Sequence, residues 1–114
     1  MMDKAAELEA KLAALKQSYI AQLDDRFESL ESAFKDINQG SDFATSKDGL
    51  EQLAFHAHKL AGTAGTFGFT EMGEKGSEIE VNCDAMVNAE TAPSAEDKKN
   101  LEELIAACRS LAKA

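Results

Sequence analysis

Apolar residues recur along the chain in steps of three and four. Leu8, Leu12, Leu15 and Tyr19 open the series, and Leu23, Phe27, Leu30, Phe34 and Ile37 continue it. At about 100° per residue these positions share one face of a helix, so the spacing predicts helix from about residue 3 to residue 38. That length is unusual for a globular helix, and a kink or break near Asp24 and Asp25, giving two helices, is expected. Residues 38–42, "NQGSD", end the section, with Gly40 suited to a C-terminal cap. Residues 41–47 read as a loop. Ser46 or Asp48 then caps the next helix, Asp48 having Glu51 at capping-box spacing.

That helix, over about residues 48–65, carries Leu50, Leu53, Ala57, Leu60 and Ala64, and "GTFGFT" at 65–70 closes it. Thr70 is expected to cap a further helix striped by Met72, Gly76, Ile79, Cys83 and Met86. Pro93 ends the turn region that follows. Ser94 and Asp97 make a second capping pair for a last helix with Leu101, Leu104, Ile105, Cys108 and Leu111. No stretch alternates with the period of a strand. Each stripe is one face wide, so the helices must bury their stripes against one another. The expected fold is all-α: an antiparallel four-helix bundle, with residues 3–22 as a fifth element or as an extension of the helix that follows.

Composition narrows the function classes. The 114 residues suit one domain over residues 1–114, long enough to bury a core without metals or disulfides. The net charge of −9 argues against nucleic acid and anionic membranes as partners, and permits a protein with a basic patch. No apolar run approaches the roughly 18–20 residues that span a bilayer, and the N-terminus lacks a signal-peptide core. Cys83 and Cys108 lack metal-ligand spacing and read as reduced, buried small residues. A cytoplasmic, free-standing protein is expected. A monomer is the simpler state, although the first helix could pair with a copy of itself.

One stretch carries chemistry. In "FHAHKLAGTAGTFGF", residues 55–69, Gly62 follows His58 by one turn and Gly65 follows by two. All three share a face, and Leu60 points about 200° away from it. His58 therefore faces outward beside a helix surface stripped of side chains. A glycine inside a helix costs roughly 1 kcal/mol relative to alanine, a cost that makes sense where something must approach the backbone. A free imidazole titrates near 6.5 and can serve as base or nucleophile. Phosphorylated on nitrogen it is a phosphoryl donor, and a partner can supply the metal and carboxylate for transfer. His56 lies about 200° from His58, so the two cannot share a small site, and a His-x-His metal site is not expected.

The run Ala57, His58, Lys59, Leu60, Ala61, Gly62, Thr63, Ala64, Gly65, Thr66, Phe67, Gly68 resembles the signature of histidine-containing phosphotransfer (HPt) domains of bacterial phosphorelays. The resemblance covers most of residues 18–111. It implies that His58 accepts a phosphoryl group from a receiver domain's aspartyl phosphate and passes it to another receiver. Gly62 and Gly65, with Lys59 and Ala61, would form the docking patch, while Leu60 and Phe67 hold the helix in the bundle. Partners would be response-regulator receiver domains or a hybrid sensor kinase. Mg²⁺ would sit on the receiver, and the domain would need no cofactor of its own. Many members carry lysine three residues after the histidine; Ala61 stands there in this chain, and its lysine is Lys59.

Around this motif, Gly73 and Gly76 suggest close helix packing, and Ser77 and Glu80 are placed near the His58 surface. Thr63 and Thr66 would bond back to the preceding turn or touch a partner. The acidic runs read as solvated faces. No glycine-rich nucleotide loop is present, so the chain reads as a phosphotransfer intermediate and not a kinase. The alternative is a non-catalytic bundle that docks a protein through its glycine face. A weaker one is a phosphatase-like or inhibitory relative that holds no phosphate.

Overall fold

The computed structural model describes residues 3–113. The described residues hold four α-helices and one 3₁₀ turn, with no strand among them: α1 Lys4–Gln39, α2 Phe43–Ala64, the 3₁₀ turn Gly65–Phe67, α3 Thr70–Ala89 and α4 Ala95–Leu111. The all-α helical bundle expected from the stripes is what forms.

The expected break at Asp24 and Asp25 does not occur; α1 is one helix of 36 residues. The reason is local. No proline or glycine interrupts residues 4–39. The Asp24 side chain lies on the solvent side, 88% exposed, while Leu23 and Phe27 carry the buried stripe straight past it. Arg109 of α4 clamps the same stretch. Its guanidinium lies 2.8 Å from Glu31 and 3.9 Å from Asp24, and it stacks 5.2 Å from the Phe27 ring. Residues 3–22 are therefore an extension of the first bundle helix.

The start of α2 also differs. It begins five residues before the expected 48, and residues 43–47 are helical. Neither Ser46 nor Asp48 is the cap. Asp42 accepts from the Thr45 N–H at 2.9 Å, and the Thr45 hydroxyl accepts from the Asp42 N–H at 3.2 Å, a reciprocal box that wins because it closes on both sides. At the N-terminus of α3 the cap position is Phe69, with no side-chain bond; Thr70 is the first helical residue. Ser94 and Asp97 do form the capping box expected for α4. Gly40 takes the C-cap of α1 in an extended conformation.

The core is built from the predicted stripes: Leu23, Phe27, Leu30 and Ile37 of α1, Leu50, Leu53, Ala57, Leu60 and Ala64 of α2, Met72, Ile79 and Cys83 of α3, and Leu101, Leu104, Ile105 and Cys108 of α4. Burial pushes the Cys83 thiol up to about 12 and the Cys108 thiol up to about 11, so both sit in the core as uncharged small residues.

The tightest interface joins α2 to α3. A Cβ on Gly76 would stand 3.2 Å from the Ala57 carbonyl oxygen and 3.5 Å from the Ala61 Cβ. A Cβ on Gly73 would meet the Ala64 Cβ at 3.4 Å. These two glycines let α3 lie almost against the α2 backbone, the close packing that both suggested in the sequence and that Gly76, on the stripe, suggested most directly.

The N-terminal part of α1 stands apart from this core. Leu8, Leu12 and Leu15 are 57%, 53% and 56% exposed, and burial begins only at Tyr19. The radius of gyration is 16.5 Å, against about 13 Å for a compact chain of this length. The longest dimension, 63 Å, is nearly three times the next.

Candidate functional site

The phase of α2 decides where the candidate residues fall. Asp42 fixes the start of the helix, and Leu50, Leu53, Ala57, Leu60 and Ala64 fix its buried face. What remains points out. The His58 side chain is 72% exposed, and Gly62 and Gly65 are exposed one and two turns beyond it. A Cβ on either glycine would meet nothing within 4 Å among the described residues. The structure thus brings His58, Gly62 and Gly65 together on one open face. Ala61 is half-buried, turned toward α3, where Gly73 and Gly76 press on it.

Glu80 of α3 gives His58 its orientation. Its Oε2 lies 2.8 Å from His58 Nδ1. An ionised carboxylate only accepts hydrogen bonds, so Nδ1 carries the hydrogen and donates it. In the neutral ring Nε2 is then the atom with a free lone pair. The closeness of α3 at Gly73 and Gly76 is what lets Glu80 reach. The sequence placed both Glu80 and Ser77 near this surface. Ser77, one turn before Glu80 on α3, is exposed and lines a shallow depression with Glu78, Val81 and Asn82.

A shallow groove of about 330 Å³ runs beside the imidazole. Glu51, Ala54 and Phe55 form its α2 wall, and Glu80, Asp84 and Val87 its α3 wall. Phe55 is 52% exposed and meets the His56 ring edge-on at 5.3 Å. The Lys59 ammonium does not extend along the bare glycine face. It sits 4.6 Å from the centre of the Phe55 ring, a cation–π contact. The only signal in the sequence for this pairing is the i, i+4 spacing of the two residues.

His56 is elsewhere. It faces α1 beside Asp25, Glu28 and Asp36, and its Nδ1 is buried with no hydrogen-bond partner among the described residues. Desolvation, then the charges of Arg26 and Lys59, lower its pKa below the usual 6.5. Among the described residues no group of three or more His, Cys, Asp or Glu side chains is arranged to hold a metal ion.

The far end of the open face is anchored. Phe67, in the 3₁₀ turn, stacks on Tyr19 with ring centres 4.6 Å apart and planes 19° off parallel. Phe69 packs on the same tyrosine at 6.0 Å. Thr63 donates to the Lys59 carbonyl at 3.0 Å and lies 3.3 Å from the Tyr19 hydroxyl. Gly68 turns the chain with φ of +87°, a conformation that favours glycine, and its N–H bonds back to Gly65.

Among known families, the model described as "Hpt domain" matches residues 4–113, nearly the whole chain. Neither a curated protein nor a solved structure matches it. No helix among the described residues is long and apolar enough to cross a membrane.

Proposed function

The chain belongs to the Hpt domain family, whose role is histidine phosphotransfer in phosphorelays, and on that premise we propose that it is a phosphorelay carrier with His58 as its phosphoryl acceptor and donor. The receiving reaction starts from an aspartyl phosphate on a receiver domain. His58 Nε2 attacks the phosphorus, an N–P bond forms, and the P–O bond to the aspartate breaks, returning a carboxylate to the receiver. The ring, now substituted at Nε2 and protonated at Nδ1, carries positive charge, and the Glu80 carboxylate 2.8 Å away stabilises it. Transfer onward to a second receiver runs the same steps in reverse.

The Mg²⁺ and the attacking or leaving carboxylate belong to the receiver, so the carrier contributes exposure and orientation. Gly62 and Gly65 admit the receiver's surface to the imidazole. Ala61 and Lys59 border that surface, and the Lys59 charge rests on Phe55. Response-regulator receivers, alone or within a hybrid sensor kinase, are the partners this reading requires, in the cytoplasm.

The observation that carries the proposal is a single one: an exposed imidazole with Nδ1 tied to a carboxylate, on the same face as two glycines, one and two turns on, with open space above them. The test is incubation with a panel of phosphorylated receivers. Acid-labile, base-stable label is expected on the wild type and on His56→Gln, and none on His58→Gln. Label on the His58→Gln protein overturns the assignment. No label on the wild type from any receiver favours a bundle that only docks.

A further inference from the structure

We propose that the protruding N-terminal half of α1 is a self-association helix, and that two copies pair there antiparallel. The stripe Leu8, Leu12 and Leu15 follows the 4-3 spacing of a two-helix seam and continues to Tyr19, yet its three leucines are each more than half exposed. Lys16 reaches back to the bundle, its ammonium 5.5 Å from the centre of the Phe69 ring, but the three leucines of the stripe are left in water. A second helix laid along the stripe would take these leucines out of water.

Charge selects a second copy. The chain carries −9, but residues 3–20 hold three acidic residues, Asp3, Glu7 and Glu9, and three lysines, Lys4, Lys11 and Lys16, and so are neutral. The excess negative charge lies on the rest of the molecule. This neutral stripe is where two such acidic bodies meet with least repulsion. An antiparallel arrangement also sends the two bundles to opposite ends, whereas a parallel one sets them side by side.

The flanking residues agree. With Leu12 packed against Leu15 of the second copy, Glu9 lies beside Lys16 of that copy, twice by symmetry. A parallel in-register pairing would set Lys4 against Glu9 but also Lys11 against Lys16, so its flanking pairs cancel. The seam also has somewhere to end. Tyr19 is already covered by Phe67 and Phe69, but a groove of about 420 Å³ opens beside it, lined in part by Lys16, Ile20, Phe69 and Leu111. The N-terminal turns of the second copy reach this groove, and Leu8 is the side chain to fill it.

A seam this short falls below the roughly 1,200 Å² at which stable specific interfaces begin, so the dimer is weak and reversible, with a Kd on the order of 100 µM. His58 lies on the α2–α3 side and stays free, so phosphotransfer and pairing can be scored separately.

The experiment is sedimentation of the full chain over a concentration series up to about 1 mM. The wild type should pass from monomer to dimer. Leu12→Glu should weaken pairing about a hundredfold, since it removes a packed leucine from both copies. Lys16→Glu should weaken it about three- to tenfold, and Glu9→Lys combined with Lys16→Glu should restore it. A monomer throughout the range, or a dimer indifferent to Leu12→Glu, overturns the proposal. A tighter dimer for Lys16→Glu alone overturns the antiparallel geometry. Retained phosphoryl acceptance by Leu12→Glu separates failure here from failure of the carrier assignment.

Discussion

Gly62 offers a test in which stability and function should move in opposite directions. The residue sits inside α2, and a Cβ added there meets nothing within 4 Å among the described residues. Gly62→Ala therefore gains helix propensity without a clash, worth roughly 1 kcal/mol. For a domain of this length that raises Tm by about 4 °C. Gly62→Gln should gain slightly less and remain folded, since its side chain points to solvent. Both gains are readable by thermal melts followed by circular dichroism.

Transfer should respond the other way. A glutamine at 62 stands one turn from His58, where the receiver's surface must approach. Displacing the reacting atoms by even about 1 Å costs on the order of a hundredfold in rate. The rate from a phosphorylated receiver should therefore fall by about that factor for Gly62→Gln. A Gly62→Gln protein that melts higher and transfers at the wild-type rate would refute the idea that bareness serves docking. A Gly62→Ala protein that melts lower would refute the helix-interior argument itself.

Three further outcomes follow from the same geometry. Glu80→Gln replaces a charge-assisted bond to His58 Nδ1 with a neutral one and should slow transfer about tenfold with an unchanged melt, whereas an unchanged rate removes Glu80 from the site. Gly76→Val forces a side chain onto the Ala57 carbonyl and the Ala61 methyl, and should cost about 1–3 kcal/mol in denaturant unfolding; a neutral result would mean α3 can move away freely. His56 has a folded pKa below its unfolded 6.5, so the unfolded chain binds more protons in that window. Its contribution to stability is complete above 6.5 and is lost as pH falls through 6.5 toward the folded value. His56→Gln should flatten the fall in Tm between about pH 7 and 5, and an equal fall in both proteins contradicts the desolvation of this ring.

The parts of the site that were legible in the sequence are those that depend on helix phase alone. His58, Gly62 and Gly65 share a face because 3.6 residues make a turn, and Leu60 is buried for the same reason. The Nδ1 bond to Glu80 depends on how far α3 slides along α2, a register set by backbone contact at Gly73 and Gly76, and periodicity holds no such information. The cap of α2 was misplaced because Asp42 and Asp48 both have a suitable residue three positions on; only the surroundings choose. Continuity of α1 was hidden by two aspartates that resemble a breaker but lie on its wet side. In the same helix Leu8, Leu12 and Leu15 look no different in sequence from Leu23, Phe27 and Leu30, and only the assembled bundle shows which of them it covers.

The aromatic stack of Tyr19 on Phe67 bears on how quickly a partner is captured. A helix end bare of side chains would ordinarily fray, and a visitor would have to freeze it before bonding to it. Because α1 grips the turn just past Gly65, that freezing is done when the chain folds. Association then loses little conformational entropy at the contact, which would suit the proposed carrier role, in which each partner is bound only briefly.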